Sequence, residues 1–311
     1  MIKVENVSKI YKNNISVLNN INFDIADGEI VALLGHNGSG KSTLLKCMTG
    51  VIKPTCGKVL IDDIDIFKYQ RKMIKNMGVV FNQKPSFIVD LSVKDNLLFF
   101  KTIYDIDDEQ YEDMIDTIDG YIDIRSLYDK QYRKLSFGER VKCEITSVML
   151  HKPKYLFLDE PTIGLDYNAK EGLYALLRDY NKKYNASIII ITHEVDYIQS
   201  VCNHALIISG GNITYNNSCD ILNEQLHQQG KTLSIKYEYI KDNMKMKKLM
   251  EKYSENKVNN QSISFTIYSE DEKNNILSSC IECMSVLEIK LENINLREVL
   301  EDVLQENKKS C

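Results

Sequence analysis

Apolar and polar residues follow three different rhythms along this chain. In "IKVENVSKIYK" and "VLNNINFDIADGEIVALLG" they alternate, which predicts an antiparallel start, with Asp27-Gly28 marking a hairpin turn. "GKVLID" (57–62) and "MGVVFNQ" (77–83) add strands. From 84 to 150 the spacing turns helical. "SVKDNLLFFKTIY" opens on Ser92 with Asp95 three residues on, a capping-box start, and "DDEQYEDMIDTI" is a second, acidic helix. "KYLFLDE" (154–160) and "ASIIIITHE" (186–194) instead run apolar without a break, as strands buried on both faces of a parallel sheet do. A helix over roughly 168–184 lies between them and makes a βαβ crossover. "ALIISGGNITYN" reads as a hairpin closed by Gly210-Gly211.

The pattern changes again after about residue 222. "LNEQLHQQGK" reads as a linker, and "TLSIKYEYI", "SISFTIYS" and "SVLEIKLE" are strand-like, each followed by a helical stretch. The expected organisation is a large α/β domain over 1–222, with a helical subdomain at about 84–150, and a small α+β domain over 223–311. A length of 311 residues accommodates both. A net charge of −5 does not suggest a general nucleic-acid binder. No apolar run approaches the ~18–20 residues of a membrane span, so the sequence predicts a soluble chain. The 8 cysteines show no framework spacing and suit a reducing compartment. Cys280 and Cys283 form a lone C-x-x-C, expected to be two helix residues one turn apart rather than a zinc or redox pair.

The candidate chemistry begins at "GHNGSGKST" (35–43), which follows the strand "EIVALL" and precedes the helical "STLLKCMTG". It fits G-x-x-x-x-G-K-[ST] in full and in the strand–loop–helix context that the motif needs. Gly35, His36, Asn37, Gly38, Ser39 and Gly40 would form a loop whose N–H groups face a triphosphate at a helix N-terminus. Lys41 would reach the β- and γ-phosphates, Ser42 would bind Mg²⁺, and Thr43 is placed for the α-phosphate. Leu44, Leu45 and Met48 are expected simply to pack the helix on the sheet. Asp159 and Glu160 end "YLFLDE" at the carboxyl edge of the sheet, where α/β folds bind ligands. Asp159 suits Mg²⁺, and Glu160 suits polarising the attacking water as general base. The plain alternative is a strand ending in two solvated acids. His193 ends the next buried strand and Gln83 ends "MGVVFNQ". The histidine is placed for the γ-phosphate and the glutamine for Mg²⁺ and the lytic water; by themselves a structural histidine and a plain strand-end amide are the alternatives.

Together these stretches resemble the ATP-binding subunits of ABC transporters, over residues 1 to about 220. "GHNGSGKS" looks like the Walker A loop, "YLFLDE" like Walker B, "PTIGLD" (161–166) like the D-loop, "FNQ" like the Q-loop, "ITHE" like the switch-histidine region and "LSFGER" (135–140) like the signature. The resemblance implies a P-loop ATPase fold with a RecA-like core, an antiparallel β subdomain and a helical subdomain. It implies ATP and Mg²⁺ as ligands, and a head-to-tail homodimer. In that dimer Ser136, Gly138 and the signature N–H groups face the γ-phosphate held by the other copy, with Asp166 of the D-loop beside them. It also implies adenine stacking on Tyr11, for which the alternative is a tyrosine that fills a groove. Two residues depart from the usual LSGGQ: Phe137 stands at the first middle glycine and Glu139 at the glutamine. Backbone donors survive both changes, so the site is expected to work.

The resemblance implies a separate membrane partner, and so a cytoplasmic chain held peripherally on the inner face of the cell membrane. "DLSVKDNLLFFKTIYDI", the signature and a tail ending "NLREVLEDVL" are similar to a branch that exports drugs, peptides or lipids, which sets the expected direction. The alternatives are an importer ATPase with a regulatory tail, a non-transport ABC ATPase, and a module that binds ATP without turning it over.

Overall fold

A computed structural model describes residues 1–69, 73–81, 86–192, 200–222, 231–253, 256–259 and 261–293. The chain divides into two compact units, Met1–Cys219 and Asp220–Cys311.

In the first unit, β1 (Ile2–Tyr11), β2 (Ile15–Ile25), β4 (Cys56–Ile61) and β5 (Ile64–Asp65) form an antiparallel sheet in the order β2-β1-β4-β5. Alternation does its ordinary work here: Ile21, Phe23 and Ile25 of β2 are buried while the residues between them are exposed. A second sheet holds β3 (Ile30–Leu34), β6 (Met77–Val80), β7 (Tyr155–Asp159), β8 (Ser187–Ile191), β9 (His204–Ser209) and β10 (Asn212–Ser218), in the order β10-β9-β3-β8-β7-β6. Five of these strands run parallel, and only β10 returns antiparallel through Gly210-Gly211. Every residue of β3, β7 and β8 is buried, which explains why those segments are continuously apolar.

One expectation is corrected. Asp27-Gly28 does not close a hairpin, because β2 and β3 lie in different sheets. The turn hands the chain from the antiparallel sheet to the parallel one. "IVALL" carried the sign of this, being apolar throughout rather than alternating.

Helix α1 (Lys41–Met48) buries Leu44, Leu45 and Met48 in a core shared with Phe157 and Ile189. Helices α2 (Val93–Ile103), α3 (Asp108–Ile122) and α4 (Phe137–Met149) build the helical lobe, and α5 (Tyr167–Tyr184) is the crossover between β7 and β8. Ser92 caps α2 by accepting from Asp95 N–H. The Asp95 carboxylate takes the Ser92 hydroxyl instead of the Ser92 N–H, so only half of the predicted capping box forms.

The second unit runs β11 (Lys231–Ile240), α6 (Asn243–Lys252), β12 (Asn256–Asn259), β13 (Ser262–Ile267), α7 (Glu270–Cys283) and β14 (Met284–Asn293). Its antiparallel sheet has the order β12-β13-β11-β14, which is the ferredoxin-like βαββαβ arrangement. Strand β12 was not legible: "NKVN" holds one apolar residue. Leu233, Ile235, Ile263, Phe265 and Ile267 pack on Met246 and Leu249 of α6 and Ile276 of α7. Cys280 and Cys283 are buried, unpaired and one turn apart on α7. Phe265→Ala is expected to cost this unit about 3–5 kcal/mol by leaving a cavity. Hydrogen exchange across 231–293 measures the loss; unchanged protection there would refute it.

Candidate active site

The parallel register sets the site. Leu33 of β3 and Asp159 of β7 both lie beside Ile191 of β8. The three strands therefore end together, and the segments leaving them meet at one edge, as open α/β sheets arrange their ligand crevices.

The chain leaving β3 makes the cradle. Gly40, at the helix N-cap, has φ 112°, a left-handed conformation that a side chain resists. A Cβ there would also lie 2.9 Å from Leu18 Cδ2 and from the Val17 carbonyl of β2. Glycine alone lets the loop press on the antiparallel sheet and still turn into α1. His36, Asn37 and Gly38 are exposed at the loop's tip. Lys41 is only 6% exposed, and its Nζ donates to the carbonyls of Gly35 at 2.6 Å and His36 at 2.9 Å. Burial lowers its pKa, opposed by the charges of Glu160 and Asp159. The Ser39 hydroxyl is buried in the cradle, yet among the described residues it has no hydrogen-bond partner. A buried polar atom of that kind suits a phosphate oxygen.

Across from Lys41, Asp159 is 8% exposed. Burial raises its pKa, and a hydrogen bond with Ser42 works against that shift. A hydroxyl paired with a carboxylate is a hard oxygen set of the kind Mg²⁺ takes. Among the described residues no cluster of three His, Cys, Asp or Glu could hold a metal. Glu160 comes next in a left-handed conformation, φ 54°, with its N–H donating to Ile191 O at 2.9 Å. A glutamate held there is a strained residue of the type found at functional sites, which the sequence could not reveal. Thr43 is half-buried on α1. Gln83 and His193 lie outside the described residues.

Tyr11 ends β1 with its ring exposed and the Lys9 ammonium 5.3 Å from its centroid. Ser136 caps α4 through a full capping box: its Oγ accepts from Glu139 N–H at 3.2 Å, and its N–H donates to Glu139 Oε2 at 2.8 Å. Glu139, the residue at the glutamine position, also holds Lys130 at 2.7 Å. Phe137 is exposed, and the edge of its ring sits over Gly164 of "PTIGLD", where a Cβ would be 2.5 Å from Phe137 Cδ1. Asp166 caps α5 by accepting from Ala169 N–H at 2.9 Å. Neither the interlock of Phe137 with Gly164 nor that of Gly138 with the same loop was legible in the sequence. A Cβ at Gly138 would lie 2.4 Å from Gly164 O. Gly138→Ala is accordingly expected to destabilise the first unit by about 1–3 kcal/mol through overpacking. Denaturant unfolding checks this, and a wild-type midpoint would contradict it.

This fold and this cradle define a P-loop ATPase. The model of the ABC transporter family matches residues 18–163. The energy-coupling factor transporter ATP-binding protein EcfA2 of Clostridium tetani is 31% identical over 219 residues, 68% of this chain and 76% of that one. The methionine import ATP-binding protein MetN of Vibrio vulnificus is 30% identical over 220 residues, 68% of this chain and 64% of that one. The structure of cbiO1 from Clostridium perfringens, part of the ABC transporter complex cbiONQ, shares 31% identity with a TM-score of 0.63, covering 72% of this chain and 91% of that one. An ATP-binding cassette solved as a post-hydrolysis dimer with ADP and Pi shares 26% identity with a TM-score of 0.63, covering 70% of this chain and 98% of that one. The chain belongs to the ATP-binding, ATP-hydrolysing subunits of ABC transporters.

Proposed function

We propose that this chain is the motor of a transporter, pairing with a second copy around two ATP molecules and driving separate membrane subunits. The observation that carries this reading is the buried Lys41 ammonium in its cradle, facing the Ser42–Asp159 pair at the same sheet edge. In this reading the loop N–H groups, Ser39 and Lys41 grip the phosphates. Ser42 and Asp159, with Gln83, hold Mg²⁺, which supplies charge neutralisation on the β- and γ-phosphates when bound. Glu160 orients and deprotonates the attacking water, and His193 contacts the γ-phosphate. Tyr11 stacks on adenine. Ser136, the N–H groups around Gly138, and Asp166 act on the nucleotide of the partner copy.

ATP touches both copies, so it favours the closed pair, and loss of the γ-phosphate favours opening. The helical lobe carries the motion to the membrane. Ile88, Val89 and Leu91 before α2, and Phe99 and Ile103 one turn apart on it, are all exposed. Exposed apolar side chains of this kind suit an interaction surface. Among the described residues no helix is long and apolar enough to cross a membrane, so the spanning part is assigned to another subunit. Peripheral placement on the cytoplasmic face comes with that assignment. The small unit over 223–311 is read as an accessory or regulatory domain.

The relatives do not support the export direction expected from the sequence. MetN, whose name states a direction, is an import protein. The importer alternative is therefore taken here, and uptake against release in vesicles bearing the reconstituted transporter decides it.

The reading as a whole is tested by purifying the chain with its membrane partner. Phe99→Asp is expected to abolish co-purification of an identified polytopic membrane protein while the isolated chain still hydrolyses ATP. Capture of that protein at the wild-type level by the variant would remove the helical lobe as the docking surface. Stable binding of nucleic acid at physiological salt, with no membrane protein captured, would favour a non-transport ATPase.

A further inference from the structure

Just after residues 82–85, Ser86, Phe87 and Ile88 are bolted to the helical lobe at three successive positions. Ser86 N–H donates to Glu144 Oε1 at 2.9 Å, and the Ser86 hydroxyl donates to the other carboxylate oxygen. Phe87, buried, stacks on Tyr132 with centroids 4.9 Å apart and tilts against Phe100 at 5.5 Å. Ile88 N–H donates to Oδ1 of the buried Asn96 at 2.7 Å, and Asn96 Nδ2 returns a bond to Ile88 O at 3.0 Å. Tyr132 closes the ring of contacts by donating its hydroxyl to Glu144 Oε1 at 2.9 Å.

Glu144 is the centre of this knot. It lies on α4, two turns beyond the Ser136 cap, and its carboxylate receives two donors from Ser86 and one from Tyr132. A carboxylate with three donors is a strong and directional clamp. The entry to the same stretch is different, because β6 belongs to the central sheet and pairs with β7. β6 is thus held by the central sheet and Ser86 by the signature helix. Gln83 and Ser86 are separated by no more than ~10 Å of chain.

We propose that Glu144 is a positioning residue for ATP turnover. By fastening Ser86 to the helix that Ser136 begins, it makes the two nucleotide-facing ends of the helical lobe move as one body. The inference rests on the assignment of Gln83 and Ser136 to the two nucleotides of the dimer. Glu144 touches no nucleotide itself; it acts on the distance between groups that do. A glutamine in its place keeps the size but loses the charge and gives a donor where an acceptor is needed.

The test compares Glu144→Gln, Ser86→Ala and the double variant in the full-length chain, reading kcat for phosphate release and Kd for a fluorescent ATP analogue. Glu144→Gln is expected to lower kcat about tenfold, the order of one charge-assisted hydrogen bond, and to leave Kd within about twofold. The double variant is expected to be no slower than Glu144→Gln by itself, because both remove one contact. Glu144→Asp, with the charge but a shorter reach, is expected to recover part of the rate. Turnover of Glu144→Gln within about twofold of wild type would overturn the proposal, as would kcat losses that add in the double variant. Glu160→Gln separates the failures. If ATP does not trap it as a dimer on size exclusion, the assignment of Ser136 to the partner's nucleotide and this inference fall together. If it is trapped while Glu144→Gln turns over normally, only this inference falls.

Discussion

Lys41→Ala is expected to abolish measurable ATP binding while leaving the fold intact. The side chain is buried and spends its donors on the carbonyls of Gly35 and His36, so it closes the cradle as well as charging it. Hydrogen bonds to a charged group contribute roughly 1.5–3 kcal/mol each, and a lysine that serves two phosphates provides at least two of them. A loss of 100-fold or more in affinity follows at about 1.4 kcal/mol per factor of ten. Stability is expected to respond differently. Burial lowers the Lys41 pKa, so the fold penalises the charge that the site requires. A lysine whose folded pKa is depressed contributes unfavourably wherever it is charged in both states, which includes neutral pH. Alanine relieves that cost but also frees the Gly35 and His36 carbonyls, and with the two effects opposed the melting temperature without nucleotide is expected to stay within about 4 °C of wild type. ATP raises the wild-type melting temperature by binding the folded state, and no such rise is expected in the variant. A normal ATP-induced shift would show that Lys41 does not hold the phosphates. Lys41→Arg is not expected to rescue binding, since a planar fork does not replace a point charge in a closed loop.

How much of this was written in the sequence depends on the range of the interaction. The strands of the parallel sheet were legible because burial on both faces keeps the centres of "YLFLD" and "SIIII" apolar. The cradle was legible because its glycines and lysine are fixed by local backbone geometry and by the phosphate chemistry they serve. Where two segments meet from far apart, the letters gave nothing. Asp27-Gly28 looked like a hairpin turn, since a turn's sequence does not say whether its two strands pair. The left-handed backbone of Glu160 comes where the strand ends beside Ile191, and no residue type announces it. The Glu139 side chain looked like a departure from the signature, yet in the structure it completes the cap that Ser136 begins. The fit of Phe137 over Gly164 joins the start of a helix to a loop 27 residues away in the chain, from 137 to 164, and so is a fact of packing alone.

That strained glutamate is where the other large effect is expected. Glu160→Gln changes one oxygen to an amide and keeps the volume, so neither the cradle nor the contact from Glu160 N–H to Ile191 is disturbed. The variant should bind ATP with near-wild-type affinity. It should lose the carboxylate that takes a proton from water, a step for which general bases contribute roughly 10²–10⁴ in rate. Phosphate release is therefore expected to fall by at least 100-fold, about 2.7 kcal/mol in the barrier. With the γ-phosphate retained, the contacts that favour the closed pair persist, and ATP should trap the variant as a dimer on size exclusion while the wild type returns to monomer. The two readouts test different links. Slow turnover without a trapped dimer would leave Glu160 as the base but remove the assignment of Ser136 to the partner's nucleotide. A trapped dimer with normal turnover would remove the base. Asp159→Asn is the contrast: it weakens the Ser42 pair and is expected to lose Mg²⁺-dependent ATP binding itself. That outcome would separate the two neighbouring acids by whether binding or chemistry fails.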